Sequence, residues 1–138
     1  MNPNPITIET IVSAPLSKVW ECWNEPQHIT KWAFASDDWE APHAENDLQV
    51  GGKFVTTMAA KDKSASFDFG GVYSVVKDNE SIEYDMDDGR HVKIEFTQVP
   101  EGVKVIETFD PEEENPREMQ KNGWQAILNN FKKYTETA

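Results

Sequence analysis

Residues 81–110 read SIEYDMDDGRHVKIEFTQVPEGVKVIETFD, and this stretch decides the fold. Val92, Ile94 and Phe96 alternate with Lys93, Glu95 and Thr97, which gives a strand one dry and one wet face. Val103, Val105, Glu107 and Phe109 share one parity on the next run. Asp87-Asp88-Gly89 and Pro100-Glu101-Gly102 separate the runs. Such short turn segments leave no room for a crossover, so neighbouring strands are largely antiparallel.

The same grammar extends upstream. Gly51-Gly52, Asp62-Lys63-Ser64 and Lys77-Asp78-Asn79 punctuate runs at Lys53–Ala60, Ser66–Val76 and Ser81–Met86. Residues 33–46 show no clean period and are read as a loop carrying Asp37, Asp38, Trp39 and His43. Before it, Leu16, Val19, Trp20 and Trp23 form a helical stripe that Pro15 opens. A second short helix starts at Asn24-Glu25-Pro26-Gln27, with Asn24 as the expected cap and Ile29 and Trp32 on its apolar side. Ile6, Ile8, Thr10 and Val12 mark a first strand.

Downstream, Asn115-Pro116-Arg117-Glu118 reads as N-cap, Pro at the first helical position and Glu two residues later. Met119, Gly123, Trp124, Ile127, Leu128, Phe131 and Tyr134 make the apolar stripe of a helix about 20 residues and roughly 30 Å long. Strands and helices are segregated along the chain, which predicts an α+β fold. The expected architecture is a curved antiparallel sheet of about six strands wrapped around the long C-terminal helix, with two short helices after the first strand, as one domain over residues 1–138.

Composition bounds the function. With 25 acidic and 13 basic residues the net charge is -12, which disfavours nucleic acid and anionic membrane as partners. Cys22 stands alone and is expected to be a buried, unreactive thiol, so no internal disulfide points to an oxidising compartment. The polar start, Met1-Asn2-Pro3-Asn4-Pro5, lacks a signal-peptide pattern, and no apolar run nears the length of a membrane span. The expectation is a cytoplasmic protein, monomeric or homodimeric.

Several of these pieces together resemble a known family. They are Ala14-Pro15 followed by Val19-Trp20, Pro26 and Trp32, Gly51-Gly52-Lys53-Phe54, Phe67-x-Phe69-x-Gly71-x-Tyr73, and Gly123-Trp124 with Leu128. In this order the chain resembles the START-like superfamily (Bet v 1-like, SRPBCC, helix-grip), in its Hsp90-ATPase-activator-homologue-1-like (AHSA1-like) branch. The resemblance implies the helix-grip fold and a cavity between sheet and long helix. It implies no single activity, because the superfamily includes lipid and hormone carriers, plant allergens, polyketide cyclases and a co-chaperone domain.

The candidate ligand-binding residues follow from parity. Phe54 and Met58 share a face on one strand, Phe69 and Tyr73 on the next, and Tyr84 and Met86 on a third. Trp124, Leu128 and Phe131 face them from the long helix, and Trp32 from the second helix. Aromatic and Met side chains with a few polar tips suit a pocket for a small hydrophobic or aromatic molecule. The same pattern also describes a filled core. Gly70-Gly71 and Gly123 are read as sites of close helix-on-sheet approach.

Catalysis finds little support. The GxSxG and Cys/His signatures are absent, and His28, His43 and His91 lack metal-ligand spacing, so neither metal nor cofactor is expected. Glu107 is the one candidate catalytic group, a carboxylate on an otherwise apolar face. The leading expectation is therefore a carrier of a small apolar ligand. A co-chaperone-like module that docks a chaperone, and a polyketide cyclase-like or hydrolase-like enzyme using Glu107, are the alternatives.

Overall fold

Each stretch of alternation or helical spacing becomes an element in a computed structural model that describes residues 4–138. Residues 1–3 of the polar start lie outside the described residues. The elements are β1 (Ile6–Val12), α1 (Leu16–Asn24), α2 (Pro26–Trp32), β2 (Trp39–Asn46), β3 (Lys53–Ala60), β4 (Ser66–Lys77), β5 (Ser81–Met86), β6 (His91–Val99), β7 (Gly102–Phe109) and α3 (Arg117–Thr137). The seven strands form one antiparallel sheet in the order β1-β7-β6-β5-β4-β3-β2. The sheet curls around α3, giving the α+β helix-grip arrangement.

β2 overturns the expectation of a loop over residues 33–46. Its burial does not alternate: Ala41 alone is fully buried. A register shift between Glu40 and His43 interrupts its pairing with β3, and Pro42 sits inside that shift. An edge strand with a bulge loses the period that marks a strand in sequence.

The expected helix caps also shift. Asn24 closes α1 instead of capping α2, with its side-chain Nδ2 donating to the Trp20 carbonyl at 2.9 Å. Pro116 occupies the N-cap position of α3, and no side chain caps that end. Gln120 ties the preceding loop down instead. Its Nε2 donates to the carbonyls of Asn115 (2.8 Å) and Glu112 (3.1 Å), and its Oε1 accepts from the Glu112 amide at 2.8 Å.

The core lies between the concave sheet face and the helices. Val12, Val92, Ile94, Val105 and Phe109 are sealed from solvent on the sheet, as are Leu128 and Phe131 on α3. Each fully buried side chain of this kind contributes about 1.5–3 kcal/mol. Phe131 packs edge-on against Trp23 and Trp32, with ring centroids 4.8 and 4.9 Å away. Trp32 also donates its indole N–H to the Cys22 carbonyl at 2.9 Å, and Asn130 of α3 donates to the Trp32 carbonyl at 2.9 Å. These bonds anchor the short helices to each other and to α3. Cys22 is buried, as its place beside the α1 stripe predicts. No helix among the described residues is long and apolar enough to cross a membrane.

Candidate functional site

The core is not filled throughout. A cavity of about 360 Å³ opens between the concave face of the sheet and α3. That is near the lower end of small-molecule sites, which run from about 300 to 1,000 Å³. Phe54 and Met58 of β3, Phe69 and Tyr73 of β4, and Tyr84 of β5 form one wall. Trp124 and Leu128 of α3 form the other, and Trp32 of α2 also lines the space. Strand parity places the sheet residues there, and the apolar stripe of α3 places its own.

Two of the expected wall residues sit elsewhere. Met86 and Phe131 are packed into the core away from the cavity surface. Periodicity assigns a side chain to the inner face, but it does not say whether the space opposite is occupied.

Gly123 corrects the expectation of close helix-on-sheet packing. A Cβ built at this position meets nothing within 4 Å, and the residue borders the cavity. Gly71 behaves differently. A Cβ there lies 2.4 Å from the Asp85 carbonyl oxygen, so the close approach at Gly71 is between neighbouring strands.

The polar groups of the cavity divide into committed and free. Tyr73 donates its hydroxyl to Asn46 Oδ1 at 2.6 Å, and Asn46 Nδ2 donates to the Asn24 carbonyl at 2.6 Å. This relay joins β4, β2 and the end of α1. The side-chain nitrogen Nε of Arg90 donates to Asp88 at 2.8 Å. Glu107, Tyr84 and Thr56 are buried, border the cavity and have no side-chain hydrogen bond within the described protein. None of their polar atoms is sealed without a partner, so they open onto the cavity.

Glu107 is the most unusual of these. Cross-strand register sets it between Ile8 of β1 and Ile94 of β6, both almost fully buried. Burial alone pushes its carboxyl up to about 8. The group is therefore mostly neutral at pH 7. Burial likewise drives the Tyr84 hydroxyl well above its ordinary range, and the Glu107 carboxylate adds to that shift.

This arrangement of curled sheet, long helix and intervening cavity coincides with a sequence match. The family model described as Activator of Hsp90 ATPase homolog 1-like protein matches residues 13–136. The chain belongs to this AHSA1-like family. Among solved structures it is similar to the AHSA1-like protein of Aeromonas hydrophila, with 44% identity over 96% of this chain and 92% of that one, at a TM-score of 0.91. A protein of Cytophaga hutchinsonii is 59% identical over 98% of this chain and 94% of that one, at a TM-score of 0.84. A Chromobacterium violaceum protein shares the fold at 24% identity and a TM-score of 0.86, covering 97% of this chain and 99% of that one. No curated protein matches the chain.

In this AHSA1-like chain, sequence reasoning did not single out Trp23, Asn46, Arg90 and Gln120 as cavity residues. Asn46 lies in β2, which has no period in sequence, and bonds to Asn24 and Tyr73, 22 and 27 residues away. Gln120 sits among polar helix residues and bonds to Asn115 and Glu112, five and eight residues away. Away from the cavity, Glu21, Glu25 and His28 bring ligand-type atoms within 4.8 Å of one another at the α1–α2 corner. His28 Nδ1 is bonded to the Tyr134 hydroxyl at 2.7 Å, and Glu25 accepts from Gln27 at 3.0 Å. The neighbouring Glu25 carboxyl raises the pKa of Glu21. This cluster is a partly exposed acidic corner already engaged within the protein.

Proposed function

We propose that the chain binds a small, mostly apolar or aromatic molecule in the cavity between the sheet and α3. One observation carries this reading: about 360 Å³ of open space stands inside a core that is tightly packed elsewhere. Aromatic and aliphatic side chains dominate its walls, and a few convergent polar groups are free to orient an occupant. Phe67 and Met119 border the same space while remaining 51% and 62% exposed, which supports an opening to solvent at that side. The proposed ligand contacts are Trp32, Phe54, Met58, Phe69, Tyr73, Tyr84, Trp124 and Leu128. Affinity would come from shape and buried area, with the Tyr84 hydroxyl as a polar handle.

Native mass spectrometry of the protein purified from its own host, followed by denaturing extraction, tests the reading directly. A co-purifying apolar small molecule is the expected result. As a second arm, a neutral aromatic alcohol such as 2-(1-naphthyl)ethanol should quench tryptophan fluorescence saturably. The Gly123→Leu variant, which puts a side chain into the open space, should weaken that quenching at least tenfold. Absence of a co-purifying molecule together with unsaturable quenching removes the proposal.

A further inference from the structure

The fold leaves Glu107 without a partner in the one place where a partner from outside has room to reach it. Its side chain is only 7% exposed, is flanked in register by Ile8 and Ile94, and makes no ion pair or hydrogen bond among the described residues. Its carboxyl opens onto the cavity. An unpaired buried carboxylate is costly, and a cation placed beside it removes most of that cost.

We infer that the occupant of this cavity is an organic cation, an apolar or aromatic amine whose ammonium group pairs with Glu107 among the surrounding rings. The inference rests on the reading of the cavity as a binding site and names the class of ligand it takes. Three further observations support it.

The first is the balance of charge. The titratable and charged side chains on the cavity surface are Glu45, Tyr73, Tyr84, Arg90, Glu107 and Glu112. The helices α1, α2 and α3 contribute none. Arg90, the lone cation among them, is bonded to Asp88. Glu45 is bonded to His43 and Glu112 accepts from the Asn115 amide, so the balance rests on Glu107 and on the -12 of the whole chain, which favour a positive guest.

The second is the wall. Phe54, Phe69, Tyr84 and Trp124 form a run of ring contacts with centroids 4.6 to 6.3 Å apart. Aromatic faces attract an ammonium group, most strongly when it is desolvated. The third is redundancy. Tyr84 and Thr56 already offer free hydroxyl donors to a neutral ligand with a carbonyl or ether oxygen. A buried carboxyl adds nothing essential for such a ligand, whereas it supplies the counter-charge for an amine. Burial holds Glu107 near 8, so amine binding at neutral pH must drive its proton off.

Calorimetric titration of the full chain with 2-(1-naphthyl)ethylamine and with 2-(1-naphthyl)ethanol, at pH 7, tests the inference. The two probes share one body and differ in the charged group. The amine should bind at least tenfold more tightly than the alcohol. Glu107→Gln should abolish that preference, bringing the amine's affinity down to that of the alcohol. In the unaltered protein, repeating the amine titration in buffers of different ionisation enthalpy should show release of about one proton per amine bound. Equal affinity for the two probes, amine binding unchanged by Glu107→Gln, or no proton release overturns the amine inference while alcohol binding still supports the cavity. Failure of both probes to bind overturns the cavity reading and this inference together.

Discussion

Trp124 of α3 lies flat on Phe109 of β7, with ring centroids 3.8 Å apart and planes inclined by only 8°. Phe109 is fully buried, whereas Trp124 also borders the cavity and meets Phe69 edge-on at 5.9 Å. One ring therefore does two jobs, fastening α3 to the sheet and walling the open space.

That dual position sets the cost of losing it. Trp124→Ala should destabilise the protein by about 2–3 kcal/mol, below the roughly 3–5 kcal/mol of a ring packed on every side. Urea titration monitored by far-UV circular dichroism measures it. A cost near zero would mean that the stack contributes nothing to holding α3.

Gly123, one residue earlier, predicts the opposite sign. Its backbone is helical and its Cβ position is empty to 4 Å. Gly123→Ala should stabilise the protein by about 0.5–1 kcal/mol through helix propensity alone. A raised midpoint in urea is expected, and destabilisation would show that α3 packs more closely there than the structure has it.

Tyr73→Phe tests the relay from β4 through β2 to α1. It deletes a 2.6 Å bond and leaves Asn46 Oδ1 without its donor in a partly buried site. The expected loss is about 1–2 kcal/mol. Adding Asn46→Ala should then cost less than it does in the unaltered protein, because the pair acts as one unit. Strict additivity would show that the relay is not coupled.

Glu107 makes stability depend on pH with a defined sign. Its carboxyl titrates near 4.5 when unfolded and is held up to about 8 in the fold. The folded state therefore binds the proton more tightly. This contribution is most favourable below about pH 4.5, and it declines by roughly 1.4 kcal/mol per pH unit until about pH 8. Glu107→Gln lacks the titration. Its stability relative to the unaltered protein should rise across that window by a few kcal/mol and then level off. Parallel urea titrations of both proteins from pH 4 to 9 check the trend, and a constant gap would show that Glu107 is solvated.

Much of the cavity wall was legible in the chain itself. Phe54 and Met58, or Phe69 and Tyr73, reach the inner face because side chains two apart on a strand share a side. Glu107 was legible by the same rule, as the one acid on the Val103, Val105 and Phe109 face. β2 was not, since its pairing with β3 holds a bulged, Pro-containing edge that has no period of its own. Gln120 and Asn46 looked like ordinary polar residues, and only folding brings them to backbone groups they satisfy.

Sequence alone determined the α+β order, the antiparallel connections and the inward parity of every strand except β2, because these depend on residues within a few positions of one another. The tertiary structure decided that Gly123 faces open space, that Phe131 fills a core while Trp124 borders a cavity, and that Glu107 has no partner among the described residues. Empty volume is what remains after two packed surfaces meet, and the state of a buried charge depends on every group around it. Both are set by contacts between residues distant in the chain, so neither is written in any single stretch of it.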